Sequence, residues 1–277
     1  WLLDKIETLE KKIKKEKIAP GTVVILEADF SPTALALLLV LIDLSCIIVP
    51  LTSSIESQKE EFIKIAEGEV LLKLDDDDNL KIAKIPHKAT HEFINQLKDR
   101  NHPGLVLFSS GSTGKSKASL SDFSDILNKF KVPRHSLRAI TFLLFDHIGG
   151  INTLLYTLSN AGCVVAINDR TPENVLHAID KYKVELLPTS PTFINLILLS
   201  EAYKRYHLSS LKTVTYGTEP MPETTLRRFH DLFPEVQLKQ TYGLSELGIL
   251  RSKSKGSDSL WVKVGGEDFQ TRVVDGL

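Results

Sequence analysis

Residues 104–118 read Gly-Leu-Val-Leu-Phe-Ser-Ser-Gly-Ser-Thr-Gly-Lys-Ser-Lys-Ala, an apolar run that passes directly into hydroxyls, glycines and lysines. Leu105–Phe108 predicts a buried strand. Beyond it, small residues let the backbone curl until several N–H groups converge on one anion. The hydroxyls of Ser109, Ser110, Ser112 and Thr113 and the ammonium groups of Lys115 and Lys117 add donors and charge suited to phosphate oxygens. A solvated linker would seldom set so many donors directly behind a buried strand. The ending Gly114-Lys115-Ser116 matches a Walker A loop, which also needs glycine five positions before Gly114. Position 109 is serine and Gly111 stands only three before, so the Walker reading fails on spacing.

Outward from this tract the chain alternates strands and helices. Leu2, Ile6, Leu9 and Ile13 fall at helical spacing among Lys and Glu, which predicts an amphipathic surface helix stopped by Pro20-Gly21. Thr22–Glu27 reads as a buried strand, Ser31-Pro32 as the start of a helix over Thr33–Leu44, and Cys46–Val49 as a second strand. Ser57–Ala66 reads as a helix, with strands over Val70–Leu74 and Leu80–Ile85 around Asp75–Asn79. That acidic run lacks the alternating ligands, glycine and distal Glu of a calcium loop, and reads as a hairpin tip. His87 and His91 stand four apart, but Lys88 lies between them where a zinc-protease helix needs Glu. They read as surface or helix-start residues. Towards the C-terminus, helices are expected over Asp122–Phe130, Gly150–Asn160, Glu173–Tyr182, Pro191–Leu199 and Pro222–Phe233. They alternate with strands over Ala139–Leu144, Cys163–Ile167, Leu186–Pro188, Thr213–Tyr216 and Gln237–Gln240. The expected fold class is α/β, with parallel sheets flanked by helices and approximate subdomains at residues 1–100 and 101–277.

Composition narrows the function classes. The 277 residues carry 34 Lys and Arg against 35 Asp and Glu, so no global field recruits nucleic acid or an anionic membrane surface. Ala34–Val49 comes nearest to a membrane span, but Asp43 interrupts it, at a cost of about 2.5–3.5 kcal/mol for a charge at a helix centre. Trp1-Leu2-Leu3 runs into charged residues and not into the apolar stretch of a secretory signal. Cys46 and Cys163, each beside apolar residues, are expected to be buried in strands. Their spacing suits neither a metal nor a disulfide framework, and the usage fits a reducing cytoplasm.

Three motifs follow the phosphate loop. Residues 145–150 read Phe-Asp-His-Ile-Gly-Gly, residues 217–220 Gly-Thr-Glu-Pro, and residues 241–246 Thr-Tyr-Gly-Leu-Ser-Glu. Gly243-Leu244-Ser245 is no nucleophile elbow, because Leu247 stands where that motif needs glycine. Together with the loop, these motifs resemble the ANL superfamily of adenylate-forming enzymes: acyl-CoA synthetases, peptide-synthetase adenylation domains and luciferases. That family's loop ends Gly-[Ser/Thr]-Thr-Gly-x-Pro-Lys, with Ser116 here in place of proline. Its adenine segment is Gly-[Gly/Ala]-Glu-Pro, and an aromatic-Gly-x-[Thr/Ser]-Glu segment comes next. Its Phe-His-x-x-Gly segment resembles residues 145–150, with Asp146 standing directly before His147. The resemblance runs in consistent order from about Thr22 to Leu277, where Val264-Gly265-Gly266 and residues 271–276 resemble the opening of the next subdomain.

The resemblance implies most of a large N-terminal AMP-binding domain, with the small C-terminal domain and its catalytic Lys outside the sequence. The chain as given is accordingly expected to be incomplete for catalysis. The implied reaction joins a carboxylic acid to ATP with Mg²⁺, giving an acyl-adenylate and pyrophosphate, and then a thioester with CoA or a carrier's phosphopantetheine. Partners are a small carboxylic acid, ATP and an acyl-carrier protein, with no nucleic acid. By resemblance, Ser109, Ser110, Gly111, Ser112, Thr113, Gly114 and Lys117 hold phosphates, with Thr113 and Lys117 acting in catalysis. Gly217, Thr218 and Glu219 lie along the adenine, Tyr242 stacks on it beside Gly243, Ser245 contacts the α-phosphate and Glu246 binds the metal. His147, Gly149 and Gly150 border the acyl pocket. Spacing puts His147 rather than Asp146 at the pocket position, which points to a non-amino acid. The alternative is a non-catalytic nucleotide- or acyl-binding module of the same fold.

Overall fold

The computed structural model describes residues 1–110, 116–265 and 272. The chain forms two compact units, Trp1–Val132 with Leu144–Ile151, and Pro133–Leu143 with Asn152–Leu277. The first unit reaches beyond residue 100 because the strands on either side of the glycine-rich loop complete its sheet.

In the first unit the order is α1 (Leu2–Lys15), β1 (Val23–Glu27), α2 (Pro32–Asp43), β2 (Ile47–Leu51), α3 (Lys59–Ile65) and β3 (Val70–Leu74). Then come β4 (Leu80–Lys84), α4 (Glu92–Arg100), β5 (Gly104–Ser110), β6 (Ser116–Asp122) and α5 (Phe123–Asn128). The sheet runs β4-β3-β1-β2-β5-β6. Its inner strands are parallel, while β4 and β6 pair antiparallel at the edges. Every position of β1 and β2 is buried, which is why both read as unbroken apolar runs and not as alternations. Glu27 ends β1 as a buried carboxylate. Burial alone would raise its pKa, but the ammonium groups of Lys59 and Lys73, each 2.5 Å away, hold it below the usual range.

The start of α2 shows why Ser31-Pro32 is a helix signal: the Ser31 hydroxyl accepts the Ala34 N–H at 3.0 Å. Asp78, at the tip of the acidic hairpin, reaches the same helix start. It accepts the Ser31 hydroxyl at 2.5 Å and the Thr33 N–H at 3.1 Å, placing negative charge at the positive helix end. His91 caps α4, its Nδ1 accepting the Phe93 N–H at 3.3 Å. The helix expected over Ser57–Ala66 is a 3₁₀ segment, Ser53–Gln58, kinked within itself at Ile55, followed by the short α3.

β6 was not anticipated. The loop tract joins β5 to β6 in antiparallel register, from Gly104↔Asp122 to Ser110↔Ser116. A Walker A loop leads from strand into helix, so topology separates this loop from that motif as clearly as spacing does.

The second unit holds β7 (Arg138–Ile140), β8 (Cys163–Val165), α7 (Pro172–Tyr182), β9 (Leu186–Thr189), α8 (Pro191–Ser200), β10 (Thr213–Tyr216), α9 (Glu223–Leu232) and β11 (Gln237–Gln240). α6 (Ile148–Ser159) precedes β8, and the hairpins β12 (Tyr242–Leu244) with β13 (Gly248–Leu250) and β14 (Ser252–Ser254) with β15 (Val262–Val264) follow β11. The larger sheet is parallel throughout, in the order β11-β10-β9-β7-β8. Its core packs Val175, Ile179, Phe193, Ile197, Val214 and Leu226 into one cluster. β8 is an edge strand, and Cys163 is exposed there, contrary to expectation; Cys46 is buried. β11 is the other edge. Its backbone is satisfied by serine side chains: Gln240 N–H donates to Ser254 Oγ at 2.9 Å, and Ser252 Oγ donates to the Gln240 carbonyl at 2.8 Å. Among the described residues no helix is long and apolar enough to cross a membrane.

Candidate functional site

In the first unit, Ser109 and Ser110 end β5, and Ser116 and Lys117 open β6, with Lys117 exposed and in register with Ser109. Gly111, Ser112, Thr113, Gly114 and Lys115 lie outside the described residues. The Phe145–His147 turn is closed by the His147 N–H donating to the Leu144 carbonyl at 3.2 Å. Phe145 is fully buried, its ring edge-on to Phe30 at 5.1 Å. Asp146 turns the other way: its Oδ2 accepts the Thr52 N–H at 3.2 Å and the Thr52 hydroxyl at 2.7 Å. His147 is exposed, and its carbonyl accepts the Ile151 N–H at 3.1 Å at the start of α6. Gly149 and Gly150 lie in the first turn of α6.

In the second unit, two motifs meet at the carboxyl ends of β10 and β11. The Thr241 N–H donates to the Tyr216 carbonyl at 2.7 Å, and the Thr241 hydroxyl does so at 3.1 Å. Gly217 lies so close to Thr241 that a Cβ on it would stand 2.6 Å from the threonine Oγ1 and 2.8 Å from its carbonyl oxygen. Only glycine fits that approach. Thr218 follows at φ +74, a left-handed conformation that a β-branched residue rarely adopts. Glu219 spends its side chain on the fold: its Oε1 accepts the Thr192 N–H at 2.8 Å at the start of α8. That backbone donor, with the side chains of Thr192 and Ser190, holds the Glu219 pKa below the usual carboxylate range. Ser190 caps the same helix, accepting the Phe193 N–H at 3.2 Å.

Tyr242-Gly243-Leu244 forms β12, and Ser245 and Glu246 occupy the turn into β13, closed by the Leu247 N–H donating to the Leu244 carbonyl at 3.2 Å. Gly248 at φ +69 ends the connection, in the manner of a three-residue hairpin. The turn leads into the strand β13, so Glu246 starts no helix there. Gly243 faces Ile249 across the hairpin, where a Cβ would come 2.9 Å from the Gly248 carbonyl oxygen. The Tyr242 side chain is 46% exposed. Among the described residues its ring stacks on nothing, and Glu246, also exposed, makes no hydrogen bond or ion pair, Arg251 included. An open ring face suits a base, and an uncommitted carboxylate suits a hard cation. No group of three His, Cys, Asp or Glu that could hold a metal occurs among the described residues. A divalent ion at Glu246 would therefore draw most of its ligands from phosphate oxygens and water.

Sequence reading missed Thr52, Asp146 as its partner, and Thr192. The Ser190-Pro191 helix signal was legible; the Thr192–Glu219 bond, spanning 27 residues, was not.

The family model described as "AMP-binding enzyme" matches residues 19–265. The 4-coumarate–CoA ligase-like 9 protein of Arabidopsis thaliana is 29% identical over 191 residues, covering 64% of this chain and 34% of that protein. The chain thus spans about a third of the length of such relatives. Among solved structures, the luciferase-like enzyme of the nonluminescent Zophobas morio mealworm superposes with a TM-score of 0.74 at 18% identity, over 90% of this chain and 66% of that one. The anthranilate CoA ligase AuaEII in complex with anthranoyl-AMP gives 0.75 at 17% identity, over 90% of this chain and 54% of that one. Identities this low speak to the fold alone, whereas the family model spans nearly all of both units: the chain belongs to the AMP-binding enzyme family.

Proposed function

We propose that the protein carrying this chain activates a carboxylic acid as its acyl-adenylate, with release of pyrophosphate, and transfers the acyl group to the thiol of CoA or a carrier. The observation that carries this reading is the meeting of the two motifs, Gly217–Pro220 and Thr241–Glu246, through Thr241 at the carboxyl ends of adjacent parallel strands, where α/β sheets take their ligands. In the reaction a carboxylate oxygen of the acid attacks the α-phosphorus in line, so no protein nucleophile is needed and positioning and charge neutralisation do the work. Tyr242 would stack on adenine, with the Gly217–Glu219 backbone along its edge. Ser245 would contact the α-phosphate. Ser110, Ser112, Thr113 and Lys117 would hold the outgoing phosphates. Mg²⁺, when bound at Glu246, would neutralise their charge. His147, Gly149 and Gly150 would border the acid.

The acid is a non-amino acid in this reading, aryl or aliphatic. Spacing puts His147 and not Asp146 at the pocket position, and Asp146 Oδ2 is turned to Thr52. The thioester step draws support from the CoA ligase names of the curated relatives. Pyrophosphate exchange by the full-length protein across a panel of acids is the test. Acid-dependent exchange is the expected result; nucleotide binding with no exchange for any acid would leave the non-catalytic module standing instead.

A further inference from the structure

Asp146 stands where the Phe-His-x-x-Gly pattern places its phenylalanine, and the structure gives it a distinct task. The His147 imidazole makes no hydrogen bond among the described residues, so its placement depends on its backbone. That backbone is gripped by the two residues before it. Phe145 goes into the core against Phe30, and Asp146 reaches a residue 94 positions away in sequence. Thr52 directly follows β2 and is buried, 3% exposed. Its one hydroxyl hydrogen goes to Asp146, which leaves the hydroxyl to accept from Ser54 Oγ at 2.7 Å. Ser54, Thr52 and Asp146 thus form a directed chain ending on a charged acceptor, the stronger class of hydrogen bond. Asp146 Oδ1 is buried without a partner, so the two bonds from Thr52 to Oδ2 are the ones that hold this carboxylate.

We infer that Asp146 is a positioning residue: clamped by Thr52, it fixes His147 at the start of α6 and so sets which acids the site accepts. This rests on the acid-activating reading above.

The experiment compares Thr52→Val, Thr52→Ser and Asp146→Ala in the full-length protein. Valine keeps the shape and N–H of Thr52 and loses the hydroxyl; serine keeps both donors. Thr52→Val and Asp146→Ala should raise the Michaelis constant for the acid roughly tenfold or more, as loss of a bond to a charged acceptor does. They should also reorder acid preference and leave the Michaelis constant for ATP unchanged. Thr52→Ser should behave as the parent. Equal changes for acid and ATP, or an unchanged order of acids in both variants, would overturn the inference. If the parent activates no acid, the functional reading falls and the selectivity claim with it. Hydrogen exchange across residues 144–155 still decides the clamp: faster exchange in Thr52→Val, restored in Thr52→Ser, supports it, and identical exchange in all three refutes it.

Discussion

Lys129, at the C-terminal end of α5, is partly buried with its ammonium 5.1 Å from the Phe130 ring, and burial pulls its pKa down to about 8. Between that value and the ordinary lysine range near 10.5, the unfolded chain binds more protons than the folded one, so stability rises with pH across the window. Lys129→Met should raise the melting temperature at pH 7 and lose that advantage above pH ~10.5. An equal gain at both pH values would assign the effect to packing. At Thr218, left-handed backbone costs a β-branched residue roughly 1–2 kcal/mol. Thr218→Gly should stabilise the chain by about 1 kcal/mol after the greater entropy of glycine in the unfolded state is offset; a loss in urea unfolding would contradict this. For Glu246, exposed and unpaired, a surface role predicts that Glu246→Gln is neutral. The proposed metal role predicts adenylation falling by orders of magnitude in the full-length protein, with the fold intact and a raised Mg²⁺ requirement. Thioester formation from supplied acyl-adenylate should suffer much less.

At the scale of elements, the carboxyl end of the second sheet depends on close backbone approach. Gly217→Ala puts a Cβ 2.6 Å from Thr241 Oγ1, so β10 or β11 must shift at its end. The cost should be about 1–3 kcal/mol of stability, with weaker ATP binding measured by calorimetry. Unchanged affinity would mean that this junction does not support the nucleotide. Glu219 ties the same turn to α8. Its lowered pKa means that its stabilisation is present above the usual carboxylate range and lost as pH falls through the folded value. Glu219→Gln should therefore destabilise at pH 7, by no more than about 0.5–1 kcal/mol because the carboxylate is solvent-exposed and screened, and by less near pH 3. A cost independent of pH in thermal melts would exclude the charge as its cause.

At the scale of the molecule, each unit closes a core of its own. Val23, Ile25, Ile47, Val49 and Phe62 cluster in the first, and Val175, Phe193, Val214 and Phe229 in the second. Local damage should therefore stay local. Ile25→Ala, about 2–5 kcal/mol from its buried position, should accelerate hydrogen exchange in β1–β3 and leave β9–β11 protected. Loss of protection in both after that one substitution would show the units unfolding as a single cooperative body.

Much of the fold is legible in the sequence, because the signals are local. Unbroken apolar runs gave β1, β2 and β5, the Ser31-Pro32 pair gave the start of α2, and the order of short motifs gave the family. Hydroxyl caps and apolar periodicity act within a few residues, so the chain itself writes them. Other features depended on folding. β6 is polar along much of its length and is a strand only because β5 offers it a ladder. Cys163 looks like a core residue and is exposed because its strand falls at the sheet edge. Glu246 sits in a hairpin turn because β12 finds β13, which no helix-cap pattern foretold. Thr52–Asp146 and Thr192–Glu219 are hydrogen bonds between distant residues, whose geometry exists only once the sheets have set the spacing of their strands. Residue type determined what chemistry this chain can do; tertiary packing decided which of those side chains were left free to do it.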